Sequence, residues 1–220
     1  MNKLWKQWTI NCALGELIGI ACAGAIAYAV FKFVGEPITL FDKLITLVAM
    51  VFAGFVEGMV LSHFQWKVLV KKFKFIPQRE WQFYTVLIAV IGWFIGMLPS
   101  LFFMPSNVPS QGASNSLNYD NPIVFALLSI LAGLSLGALF GLFQWFSLRK
   151  YAHKVYKWIL ANALGWGLGL GWIYLFASMP NEQSSMLFNI SVGLIGGTLA
   201  GLSLGAISGF FLIRLEVKNK

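Results

Sequence analysis

The seven residues Ala132-Gly133-Leu134-Ser135-Leu136-Gly137-Ala138 return unchanged as Ala200-Gly201-Leu202-Ser203-Leu204-Gly205-Ala206. Small residues four apart make a smooth stripe on a helix, and in lipid such a stripe lets a second backbone approach closely. The same Ala-Gly-x-x-x-Gly core occurs a third time, as Ala53-Gly54 with Gly58. Each core is preceded in the chain by another glycine pair of the same spacing: Gly15 and Gly19, Gly92 and Gly96, Gly165 and Gly169. Phe-Gln-Trp occurs at both 64–66 and 143–145. The chain therefore reads as three copies of one helical hairpin.

Composition places those helices in a membrane. With 58% apolar and 11% charged residues and a mean hydropathy of +0.75, the chain lies outside the range of soluble domains. Only Glu16 lies between Lys6 and Lys32, and only Glu57 between Lys43 and Lys67. The intervals 81–119, 121–148, 158–181 and 183–213 hold no charge at all. Each window supplies the roughly 20 apolar residues needed to cross about 30 Å of hydrocarbon. The runs are too long, and too continuously apolar, for the alternating strands of a barrel. The reading is an all-α integral membrane bundle of six transmembrane helices and a single domain over 1–220. Its helices lie near 7–31, 44–68, 82–104, 123–148, 158–178 and 187–213, and its hairpins span about 7–68, 82–148 and 158–214.

Charge gives an orientation. Fourteen of the sixteen Lys and Arg fall on one side, leaving only Lys32 and Lys43 on the other. By the positive-inside rule both termini are cytoplasmic, as in a bacterial inner membrane. The net charge of +8 then reflects topology and attraction to anionic lipid head groups. Nucleic acid is excluded as a partner, because the bases flank helix ends and form no separate domain. Lys3, Lys6 and the Ala21-Cys22-Ala23 string imitate a signal peptide. Against cleavage, the segment contains Glu16, and its Ala13-Leu14-Gly15 motif reappears at Ala163–Gly165. Cys12 and Cys22 share one helix, which excludes a staple between loops and, with no histidine nearby, a metal site.

The polar stretch Pro105–Pro122 reads as a connector between copies. Trp5, Trp8, Trp66, Trp81, Trp145, Tyr151, Tyr156 and Trp158 lie at the basic helix ends and are expected to form an interfacial aromatic belt. Gln65-Trp66 and Gln144-Trp145 are expected to anchor there too.

Glu16 and Glu57 stand apart. Each lies about nine residues from the basic end of its helix, so roughly 13–14 Å deep on consecutive antiparallel helices. The matching positions of the other copies hold Trp93 and Trp166, and Leu136 and Leu204. A charged, unpaired carboxylate at that depth costs several kcal/mol, so these acids are protonated, paired or facing a polar cavity. No Lys or Arg lies at their depth. If they meet, repulsion between them favours a shared proton or a bound cation. His63, six residues beyond Glu57, completes the candidate intramembrane proton or cation site, although a surface position accounts for it equally well.

No catalytic signature is present: there is no His-x-x-x-His pair, phosphate loop or nucleophile elbow. No enzyme activity, cofactor or metal is expected. The Gly-x-x-x-Gly runs, Phe143-Gln-Trp-x-x-Leu-Arg149 and Trp158-x-x-x-Asn-Ala-Leu-Gly-Trp166 resemble uncharacterised repeat-built polytopic membrane proteins of cyanobacteria-like bacteria. That resemblance implies a fold and carries no catalytic residue. Two functions fit the sequence. One is a non-enzymatic packing, assembly or binding subunit, whose glycine faces and basic surface contact a homo-oligomer or a membrane partner. The alternative is a small transporter, channel or solute-binding component with its site at Glu16 and Glu57.

The topology is testable by cysteine-accessibility labelling after Cys12 and Cys22 are replaced. Probes near Lys71 and Lys150 should label from the cytoplasmic side and a probe at Gln111 from the opposite side. Labelling of position 111 from the cytoplasm alone would refute the orientation.

Overall fold

The computed structural model describes residues 2–103, 122–181 and 183–218. The connector read over Pro105–Pro122 lies outside them except for Pro122, which begins α4. Among the described residues there are six α-helices and no strand: α1 (Lys3–Val34), α2 (Leu40–Lys72), α3 (Gln78–Leu98), α4 (Pro122–Leu148), α5 (Lys157–Ala177) and α6 (Met186–Leu212). All six are long and apolar enough to cross a membrane. A π-helical turn, Pro99–Phe103, extends α3. Helices α1 and α2 run several residues past the ends expected from hydropathy, because capping groups carry them into the polar layer. Asn2 caps α1. Thr39 and Asp42 form a capping box on α2, the Thr39 amide and hydroxyl both donating to Asp42 Oδ2 at 3.0 and 2.7 Å.

Each helix packs on its neighbours in sequence, and α6 returns to α1, so the packing closes into a ring. The closure rests on glycines. A Cβ on Gly201 would lie 2.7 Å from Ala13 Cα, and one on Gly205 would lie 2.7 Å from Thr9 Cα. Between α4 and α5, a Cβ on Gly141 would lie 2.5 Å from Ile159 Cα, while Gly133 and Gly137 sit directly on the backbone oxygens of Trp166 and Asn162. On α2, Gly58 faces Val86 and Ala89 of α3, and Gly54 faces the Trp93 indole. Gly15 and Gly19 face Leu61 and Glu57 of α2, Gly92 faces Leu136 of α4, and Gly165 and Gly169 face Leu204 and Ala200 of α6. Gly96 differs from the sequence expectation: a Cβ there would meet nothing within 4 Å.

Large apolar side chains point outward. Val48, Phe52, Leu131 and Leu187 are each more than half exposed, whereas Glu16, Gln65, Thr85, Gln144, Asn162 and Ser208 are buried. This inversion of the soluble pattern suits a hydrocarbon surround. The interior stacks in layers. One, at the basic end, is built on Trp8, Trp81, Trp158 and Leu212. The next contains Leu61, Ile88, Phe140, Trp166 and Leu204, and the farthest Ala23, Met50 and Ala53.

Replacing Gly137 or Gly205 by Leu should lower the thermal unfolding temperature in detergent, through overpacking worth at least about 1–3 kcal/mol. Gly193→Ala, at a position with open space, should not. Wild-type melting of both leucine variants would show that these contacts do not hold the ring.

Candidate functional site: a buried acid pair above a polar girdle

Glu16 projects from α1 and is fully buried. Its stem lies against Gly201, where a Cβ would come within 2.9 Å of Glu16 Cβ. Glu57 projects from α2 and is 7% exposed. It occupies the space left by Gly19, whose Cβ would fall 2.8 Å from Glu57 Cγ. Two glycines thus make the room for two carboxyl groups. The two carboxyl groups lie against one another, close enough for one proton to be shared between them.

The two differ in their partners. Trp93 of α3, seated over Gly54, donates its indole N–H to Glu57 Oε2 at 2.5 Å. Apart from the Glu57 carboxyl group, neither oxygen of Glu16 has a hydrogen-bond partner among the described residues. A buried ionised carboxylate without a donor or cation is unstable by several kcal/mol. The site therefore holds one acid with an indole donor and one whose partner is that acid itself. His63 is not part of it. Six residues along a helix turn a side chain through about 600°, which carries His63 off the face of Glu57. Its Nδ1 lies 3.2 Å from Gln78 Nε2 instead.

One turn before Glu16 on α1 is Cys12, buried and free. It begins a run of polar contacts toward the basic end. Gln65 Nε2 lies 3.9 Å from Cys12 Sγ, and Gln144 Nε2 donates to Gln65 Oε1 at 3.4 Å and to Thr85 Oγ1 at 3.1 Å. Trp158 Nε1 donates to Gln144 Oε1 at 2.9 Å, and Trp8 Nε1 to Ser208 Oγ at 2.8 Å. Trp158 meets Trp8 edge-on at 5.7 Å and Trp81 at 6.4 Å. Through these side chains the girdle joins all six helices.

This corrects the sequence expectation of an interfacial role for Gln65, Gln144, Trp8, Trp81 and Trp158. Both glutamines are 1% exposed and the three tryptophans 0%. Trp66 and Trp145 are only partly buried, and Tyr156 is 62% exposed. A signal for the glutamines existed. Gln65 follows Glu57 and Leu61 at spacings of four, and Gln144 follows Leu136 and Phe140 likewise, so each continues one buried stripe.

Gln144→Leu should cost about 1–3 kcal/mol, because it leaves the Trp158 indole N–H buried without an acceptor. Chemical or thermal unfolding measures it; unchanged stability would mean that the girdle does not bind the helices together.

No protein-family model matches this chain, and no curated protein or solved structure does. The acid pair and the girdle are read from their own chemistry.

Proposed function

We propose that the chain is a non-enzymatic, multi-pass membrane protein that takes up a proton or a small cation at Glu16 and Glu57. In this reading it is a transporter, channel or solute-binding component. It lies in a bacterial inner membrane with both termini and the basic face cytoplasmic, the arrangement favoured by the charge asymmetry. The ring is read as three pseudo-repeated hairpins, 7–68, 82–148 and 158–214. Supporting this, Trp93 lies on Gly54, Trp166 on Gly133 and Gly137, and Glu16 on Gly201, so that a first helix meets the glycine stripe of the preceding hairpin each time. At this point two copies place a tryptophan and the first places an acid.

The observation that carries the binding reading is the state of Glu16: full burial, with a second carboxyl group beside it and no other hydrogen-bond partner among the described residues. Packing does not require a carboxylate there, and a proton or cation relieves both the desolvation and the repulsion. The second reading, an assembly subunit or homo-oligomer with a partner protein, draws on the glycine stripes. Eleven of the twelve glycines that compose them face helices of this same chain, leaving only Gly96 uncovered among the described residues. That weighs toward binding.

Glu16→Gln combined with Glu57→Gln decides between the two. The variant should fold and melt normally in detergent. A bound ion stabilises the wild type by RT ln(1 + [L]/Kd), about 2.7 kcal/mol at a hundredfold excess over Kd. The wild-type melting temperature should therefore move with pH or rise with added Na+ or K+, and the doubly substituted protein should not respond. An identical response of the two proteins would refute the site and leave the assembly reading.

A further inference from the structure

A second site is built at the basic end, where sequence-distant lysines meet. Beyond α6 the chain turns back across the connector between α4 and α5. Ala152 and Val217 form an antiparallel bridge, the His153 amide donates to Glu216 O at 2.9 Å, and the Lys218 amide to Tyr151 O at 2.8 Å. Between this tail and the end of α2 lies a cleft of about 450 Å³, whose lining includes Lys72, Lys74, Lys150 and Lys218.

These ammonium groups come from three separate segments, and tertiary contacts hold three of them. Lys72 Nζ donates to Leu212 O and Ile213 O at 2.8 and 2.9 Å, and Lys218 Nζ to Arg149 O at 2.6 Å. Both are thereby fixed at the carbonyl ends of α6 and α4, where the helix dipole favours a cation. Lys150 Nζ pairs with Glu80 Oε1 at 2.8 Å. Four ammonium groups set against that one carboxylate leave three positive charges in excess. Each ammonium carries three donors, so all four retain at least one for a further acceptor. Beside them, Phe75 is 69% and Val217 48% exposed. Cations beside solvent-exposed apolar side chains, at the end of membrane-spanning helices, match the boundary between head groups and acyl chains.

We propose that this cleft binds the phosphate group of an anionic phospholipid, with the acyl chains leaving over Phe75 and Val217. The lysines act as point charges on the phosphate oxygens, and the apolar pair keeps the ligand at the membrane surface. The site is independent of Glu16 and Glu57.

The test uses the full chain in nanodiscs of phosphatidylcholine, with or without phosphatidylglycerol. Phosphatidylglycerol should raise the wild-type melting temperature by several degrees. Lys74→Gln combined with Lys150→Gln should melt normally in phosphatidylcholine alone and lose most of that rise. Lys3→Gln with Lys6→Gln, which removes two exposed bases from the same end, should keep it. Equal losses from both double variants, or none from the first, would overturn the site. Inorganic phosphate should give no rise in phosphatidylcholine discs; a rise equal to that from phosphatidylglycerol would overturn the lipid assignment.

Discussion

The ring depends on helices touching at the backbone. In hydrocarbon, apolar side chains gain little by leaving lipid for protein, so association rests on dispersion at close range and on polar contacts between helices. Gly133, Gly137 and Gly141 bring α4 onto the backbone of α5, and Gly201 and Gly205 bring α6 onto α1. The second contact is the closing one. Without it the first and last helices would part, and Trp8 would lose Ser208 as its acceptor. Glu16 would also lose the surface of Gly201 that covers it.

Close approach has an electrostatic consequence. It shuts lipid out of a narrow interior and lets short and medium polar side chains reach one another. In the girdle, Gln144 donates to Gln65 and Thr85 and accepts from Trp158. Such a network holds helices in register because any slide strands a polar group in a dry interior. The acid pair follows another logic. Glu57 is answered by Trp93, while Glu16 has only the Glu57 carboxyl group beside it. Thr46 Oγ1, Trp81 Nε1 and Ser147 Oγ are also buried without a partner among the described residues, but Glu16 is the acid among them, and it alone can carry a charge there.

The basic end has a related design on a wetter surface. Lys72 and Lys218 cap the carbonyl ends of α6 and α4, tying the end of α2 to α6 and the C-terminal tail to the end of α4. Arg149 lies over the Trp145 ring at 4.6 Å, and Arg214 over the Phe210 ring at 3.3 Å. Positive charge is thus distributed over helix ends and aromatic faces, both of which favour cations. It also gathers where the tail folds back, in the cleft lined by Lys72, Lys74, Lys150 and Lys218.

The sequence by itself determined what depends on position along a helix axis. Six long apolar windows, two of them holding a single acid, set the six helices, and recurring glycines marked the faces where helices press together. Counting residues from the basic end put Glu16 and Glu57 at one depth. What the sequence did not determine is the direction each side chain takes around that axis. When lipid-facing and core-facing residues are both apolar, the hydropathy contrast that reveals the inner face of a soluble helix is largely absent. Trp8, Trp81 and Trp158 therefore read as an interfacial belt at the right height, while ring closure turned them inward to 0% exposure. Gln65 and Gln144 went the same way, and His63, six residues beyond Glu57, was turned off its face to Gln78. The meeting of Lys72, Lys150 and Lys218 was equally illegible, because it arises from the path of the tail across a connector. Depth is a local property of the chain, but facing is a relation between helices, and only their packing decides it.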